Sequence, residues 1–197
     1  KAADSLPEGT YRLDGADVGD AAFGWLLAHY RFDEYRSEPK VKGSRILLSS
    51  EPGRIAAAVV QAEATALVRD LVKSPAADMG PGQMEAEAAR IAKAHKAELI
   101  VTRGDALTAG FPMIHAVGKA AARECAPRLI ELMWGDKRHP RIALVGKGVC
   151  FDSGGLDIKT GSSMLLMKKD MGGAAHVLAL ARLIMASLLS CSLAQVG

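Results

Sequence analysis

Leu144-Val-Gly-Lys147-Gly-Val-Cys150-Phe-Asp152-Ser-Gly-Gly-Leu-Asp157-Ile-Lys159-Thr-Gly161 is the stretch on which the fold turns. An apolar run, Ile142-Ala-Leu-Val145, enters it with the character of a buried strand, and glycine-rich turns follow. Those turns and the segment just beyond them hold Lys147, Asp152, Asp157, Lys159, Lys168, Lys169 and Asp170. In open α/β sheets, ligands gather outside the carboxyl ends of strands, so charged residues placed there point to function. Glycines at 146, 148, 154 and 155 let the backbone approach a ligand closely or take positive φ.

Upstream of this stretch, helix and strand signals alternate. A helix over 83–96 places Met84, Ala88, Ile91 and His95 on one side, and strand-like runs follow at 99–101, 114–117, 129–132 and 142–145. The alternation predicts an α/β fold, a mixed, mostly parallel sheet flanked by helices. Asp78-Met-Gly-Pro-Gly82 marks the start of this unit. Before it, 53–72 is predicted as a helix with Val60, Ala64, Leu67, Val68 and Leu71 on one face, 45–48 as a strand and 17–36 as an amphipathic helix. The expected organisation is a first domain over 1–52, a connecting helix over 53–72 and a second domain over 73–197.

The 197 residues are 49% hydrophobic and 24% charged, enough apolar material for a core and too much for global disorder. A net charge of +3 is too mild to announce nucleic acid or membrane. Residues 1–140 balance 19 bases against 19 acids, so the whole excess lies in 141–197, with six bases and three acids. Cys125, Cys150 and Cys191 are an odd number without CxxC spacing, which argues against a disulfide framework and a zinc finger. With no apolar signal segment at the start, this predicts a cytoplasmic setting. The apolar stretch from Ala174 is interrupted by His176 and Arg182 and is predicted as a core helix rather than a membrane span.

A phosphate loop fails on spacing. Lys159-Thr160 is preceded by Ile158 where a Walker motif needs glycine, and only Gly146-Lys-Gly148 matches the start of a dinucleotide fingerprint. His95 and His115, single residues in apolar surroundings, are expected to be structural. Two readings stay open for the acid–lysine set. Asp152 and Asp170 offer hard oxygen donors to a metal, with Lys147 able to ligate only as the neutral amine. Alternatively, Lys147 pairs with Asp152, and Lys169 with Asp170, as salt bridges.

The run from Val145 to Lys159, followed by Met164-Leu-Leu-Met-Lys-Lys-Asp-Met-Gly-Gly-Ala-Ala, resembles the catalytic core of the leucyl aminopeptidase, or cytosol aminopeptidase, family. The likeness extends to Leu71-Val-Lys-Ser-Pro-Ala-Ala-Asp-Met-Gly-Pro, Phe111-Pro-Met-Ile-His-Ala-Val-Gly and Pro127-Arg-Leu-Ile-Glu-Leu-Met-Trp-Gly, and reaches back to Leu6-Pro-Glu-Gly-Thr-Tyr-Arg-Leu-Asp-Gly, covering about residues 6 to 185. It implies part of the family's N-terminal α/β domain before the catalytic one. It also implies a reaction: metal-dependent release of N-terminal residues, preferentially leucine, from peptides with a free N-terminus. By position, Lys147, Asp152 and Asp170 match ligands of the family's two-metal centre, with the counterpart of Asp152 bridging both ions. Lys159 matches the lysine that stabilises the developing oxyanion. Zinc, manganese or cobalt would suit the ligand set, and the family assembles as homo-hexamers.

The family's next signature, Asn-Thr-Asp-Ala-Glu-Gly-Arg, is not in this sequence. It supplies an aspartate and a glutamate as further ligands and an arginine that holds a bicarbonate acting as general base. The closing residues 187–197 no longer look like the family. The expectation is therefore a catalytic domain truncated before that motif, holding at most a partial metal site and having little or no peptidase activity. The alternative is an inactive fragment acting as a DNA-binding or assembly module. Against nucleic acid stand the neutral first 140 residues and the lack of a continuous basic stripe.

Overall fold

A computed structural model describes residues 2–13, 18–38, 43–153, 155–156, 158–187 and 192–196. Gly154, Asp157 and Cys191 lie outside the described residues. The chain divides into two compact units, Lys1–Asp70 and Leu71–Gly197.

The first unit contains α1 (Ala2–Ser5), β1 (Gly9–Arg12), α2 (Val18–His29), β2 (Arg45–Leu48) and most of α3 (Pro52–Lys73). Strands β1 and β2 pair in parallel, Gly9 opposite Arg45. Helix α2 is shorter than the expected 17–36. The Arg31 guanidinium donates to the carbonyl oxygens of Ala28 at 2.9 Å and Tyr30 at 2.8 Å, satisfying acceptors left open where the helix stops. A turn closed by Arg36 N–H to Asp33 O then replaces the last helical residues. Helix α3 meets its prediction within a residue at each end. Its Pro52 sits in the first turn, where a missing N–H costs nothing, and Ala64, Leu67 and Leu71 are buried along one face.

The second unit contains α4 (Pro81–His95), β3 (Glu98–Arg103), α5 (Gly104–Gly110), α6 (Pro112–Gly118), β4 (Arg128–Trp134), β5 (Arg141–Val145), α7 (Gly161–Met164), α8 (Gly172–Ala186) and β6 (Ser192–Val196). Its described residues also form 3-10 turns at Arg123–Cys125 and Met167–Lys169. Helix α4 starts where Pro81 follows Gly80, whose N–H donates to the Gln83 side chain at 3.1 Å. Its buried face of Met84, Ala88, Ile91 and Ala92 matches the predicted period. Glu85 on α4 pairs with Arg128 of β4 at 2.8 Å and with Arg103 of β3, fixing the helix to the sheet.

The sheet order is β3-β4-β6-β5. The α/β class is as expected, but among these strands only β5–β6 pair in parallel, while β3–β4 and β4–β6 are antiparallel. The sheet is thus mixed, as expected, with antiparallel pairings outnumbering the parallel one among its described strands. Between β3 and β4 the chain makes short helices and doubles back, whereas between β5 and β6 it crosses over through α8 and keeps its direction. The run 114–117, expected as a strand, is instead α6. Pro112 opens it at N1, and Ile114 and His115 N–H both reach the Phe111 carbonyl. The core lies where the α4 face, β4 (Leu129, Ile130, Leu132) and α8 (Ala174, Ala175, Leu178, Ala181, Met185) are buried.

Candidate active site

The carboxyl end of β5 and the start of α8 meet backbone to backbone. A Cβ on Gly146 would lie 2.5 Å from the Gly173 carbonyl oxygen, and one on Gly173 would lie 2.8 Å from the Lys147 nitrogen, so neither position accepts a side chain without displacement. The Ala174 N–H donates to the Lys147 carbonyl at 2.9 Å, locking the two segments together. This joint brings Asp170, which precedes α8, back to Lys147 across more than twenty residues.

At the joint, Lys147 Nζ lies 2.9 Å from Asp152 Oδ2 and 3.8 Å from Asp170 Oδ1. Lys159 Nζ donates to the Asp152 backbone carbonyl at 2.5 Å, lies 4.0 Å from Asp152 Oδ1 and touches Met167 Sδ at 3.8 Å. All four predicted site residues thus converge on Asp152 and its neighbours. Of the two salt bridges considered, Lys147–Asp152 forms, and Asp170 turns to Lys147 rather than to Lys169. The hydrogen bond to Asp152, joined by the charges of Asp152 and Asp170, raises the Lys147 pKa. Its ammonium therefore stands between the two carboxylates, and ligation through its nitrogen requires loss of that proton.

Cys150, between Lys147 and Asp152, is buried, and burial pushes its thiol up to about 11, which leaves it protonated and inert at neutral pH. Beside Lys159 an open pocket of ≈ 370 Å³ is lined by Lys159, Ser163, Leu166, Met167, Lys169 and Asp170. Two carboxylates and a lysine amine fit the donor chemistry of one divalent ion. Among the described residues no group of three or more His, Cys, Asp or Glu side chains forms that could hold a metal. Lys147, Asp152, Lys159 and Asp170 are visible as charges in the sequence, whereas the contacts of Gly173 with the distant Gly146 and of Met167 with Lys159 leave no local signal there.

Two carboxylates and two lysines at the end of a parallel strand, held by a glycine joint, define an α/β domain with an acid–lysine cluster. A profile of the cytosol aminopeptidase family, catalytic domain, matches residues 66–196. A probable cytosol aminopeptidase of Rhodococcus jostii (strain RHA1) is 36% identical over 183 residues, 85% of this chain and 36% of that protein. One from Geobacter sp. (strain M21) is 38% identical over 189 residues, 89% of this chain and 36% of the relative. Among solved structures, the cytosol aminopeptidase of Coxiella burnetii superposes with a TM-score of 0.91 at 40% identity, covering 98% of this chain and 43% of that one. The bottromycin maturation enzyme BotP, in complex with Mn, gives 0.82 at 35% identity, covering 95% and 42%. The chain belongs to the cytosol aminopeptidase family, a family of peptidases. It spans a little over a third of the length of the curated relatives it matches. The family match runs to residue 196, past the point where the sequence likeness was expected to end, and Ser192–Val196 form β6 in register with β4 and β5.

Proposed function

We propose that this chain carries part of the centre of a divalent-metal-dependent aminopeptidase that releases N-terminal residues, preferentially leucine, from peptides. The observation that carries the proposal is the convergence of Lys147, Asp152 and Asp170 at one point with Lys159 beside it. Asp152 and Asp170 would hold the metal with the Lys147 amine, and the Mn complex of BotP supports a divalent ion of the manganese or zinc kind. When bound, such ions polarise a scissile carbonyl and activate water. The Lys159 ammonium, anchored on the Asp152 carbonyl, donates a hydrogen bond to the substrate oxygen as negative charge develops there. Leu166 and Met167 give the adjacent pocket an apolar wall suited to a leucine side chain.

The proposal includes the domain assignment: 1–52 as part of an N-terminal domain, 53–72 as a connecting helix and 73–197 as catalytic domain. The division into compact units near residue 70 supports it. It also includes a cytoplasmic setting, for which the relatives' name is the support, and the homo-hexamer implied by the family resemblance. No helix among the described residues is long and apolar enough to cross a membrane.

Calorimetric titration of Mn²⁺ into the 197-residue chain and into Asp152→Ala tests the ligand assignment. The expected result is one weak site in the parent chain and at least a roughly tenfold loss of affinity in the variant. In parallel, hydrolysis of a leucyl amide by the unmodified chain is expected to be negligible. Unchanged Mn²⁺ affinity in Asp152→Ala would remove Asp152 from the centre, and robust metal-dependent turnover would show that these donors suffice for the whole reaction.

A further inference from the structure

The 3-10 turn Met167–Lys169 leads directly into Asp170, and its middle residue reaches away from the acid–lysine cluster. Lys168 Nζ donates to the carbonyl oxygen of Lys73 at 2.8 Å, across 95 residues of sequence. Lys73 is the last residue of the 22-residue helix α3, so its carbonyl is one of the acceptors that a helix end leaves open, and the helix dipole adds to its pull on a cation. The anchor is firm. Leu71 and Ser74 are buried, Asp78 and Met79 N–H close a turn on the Pro75 carbonyl, and Val72 packs 3.9 Å from where a Cβ on Gly172 would lie.

From this geometry we infer that Lys168 is a positioning residue: by tying its turn to the C-terminal end of α3, it sets where the Asp170 carboxylate points. The inference rests on the reading of Asp170 as a metal ligand. Two joints then flank Asp170, the Lys168 tie before it and the Gly146–Gly173 contact after it. Met167 and Met171, both buried, fix the depth of the turn but, as flexible apolar side chains, leave its rotation about that line open. The hydrogen bond to Lys73 removes that rotation.

Electrostatics and positioning predict opposite signs for one substitution. Lys168→Met removes a positive charge two residues from Asp170, so charge alone tightens divalent-cation binding. Lost positioning weakens it. The experiment titrates Mn²⁺ by electron paramagnetic resonance into the 197-residue chain, Lys168→Met, Lys168→Arg and Asp170→Asn, with circular dichroism and Tm recorded for each. The expected result is Mn²⁺ affinity about tenfold weaker in Lys168→Met, restored in Lys168→Arg, whose guanidinium reaches the same carbonyl, and strongly reduced in Asp170→Asn. Equal or tighter binding in Lys168→Met with binding lost in Asp170→Asn overturns the positioning role and leaves the metal reading standing. Unchanged binding in Asp170→Asn overturns both. If Lys168→Met lowers Tm or helicity, the Lys168→Arg arm decides: a chain folded like the parent that binds Mn²⁺ as weakly as Lys168→Met overturns the inference, and parent-like binding supports it.

Discussion

Gly173 and Gly172 are neighbours at the start of α8, yet alanine meets different surroundings at each. On Gly172 the nearest heavy atom is Val72 Cγ2 at 3.9 Å, an ordinary contact, whereas on Gly173 the Lys147 nitrogen lies at 2.8 Å. Alanine gains about 1 kcal/mol over glycine in a helix interior and less in the first turn, where both residues lie, and forcing a methyl into a packed backbone joint costs about 1–3 kcal/mol. Gly172→Ala is therefore expected to keep or raise Tm, and Gly173→Ala to lower it by a few degrees. Differential scanning calorimetry on the pair checks this, and equal shifts would show that the joint yields freely. The same residues show why the cluster was legible only in part. Lys147, Asp152, Lys159 and Asp170 stand out as charges among glycines, but which carboxylate Lys147 meets depends on a backbone contact between Gly146 and Gly173 that no local pattern encodes.

At the scale of elements, α4 and α8 share a titrating group. His95, in the last turn of α4, has its pKa lowered by burial first and then by the charges of Arg182 on α8 and Arg90 on its own helix. The folded state thus binds its proton less readily than the unfolded chain, whose value is near 6.5. Stability from this group is fully present above about pH 6.5 and is lost as pH falls through that value toward the lowered folded pKa. Urea unfolding from pH 7.5 to 5.5 is expected to show falling stability, and His95→Gln to flatten the decline. Parallel curves for parent and variant would assign the pH dependence elsewhere, His29 included. Helices α3, α4 and α8 were legible because each repeats its apolar face over several turns. Residues 114–117 were not, because a four-residue apolar run has no resolvable period and Pro112 settles the choice only through its position at N1. The antiparallel pairings escaped for another reason: alternating helix and strand signals do not record which way the chain returns between β3 and β4.

For the whole molecule, apolar surface left open governs behaviour in solution. β5 lies at one end of the four-stranded order, with Ile142 45% and Val145 73% exposed, and Leu156, Ile158 and Leu165 are more open still. Exposed apolar residues on an edge strand template pairing with another chain. The isolated chain is expected to self-associate as its concentration rises, and Val145→Lys to shift it toward monomer. Sedimentation velocity on both checks this, and indistinguishable distributions would place the association elsewhere. The hydrogen bond from Ala174 to Lys147 gives the same molecule an internal clock. Its amide proton is released to solvent only when the start of α8 parts from the end of β5, so the hydrogen–deuterium exchange rate at that single backbone position times how often the cluster comes apart.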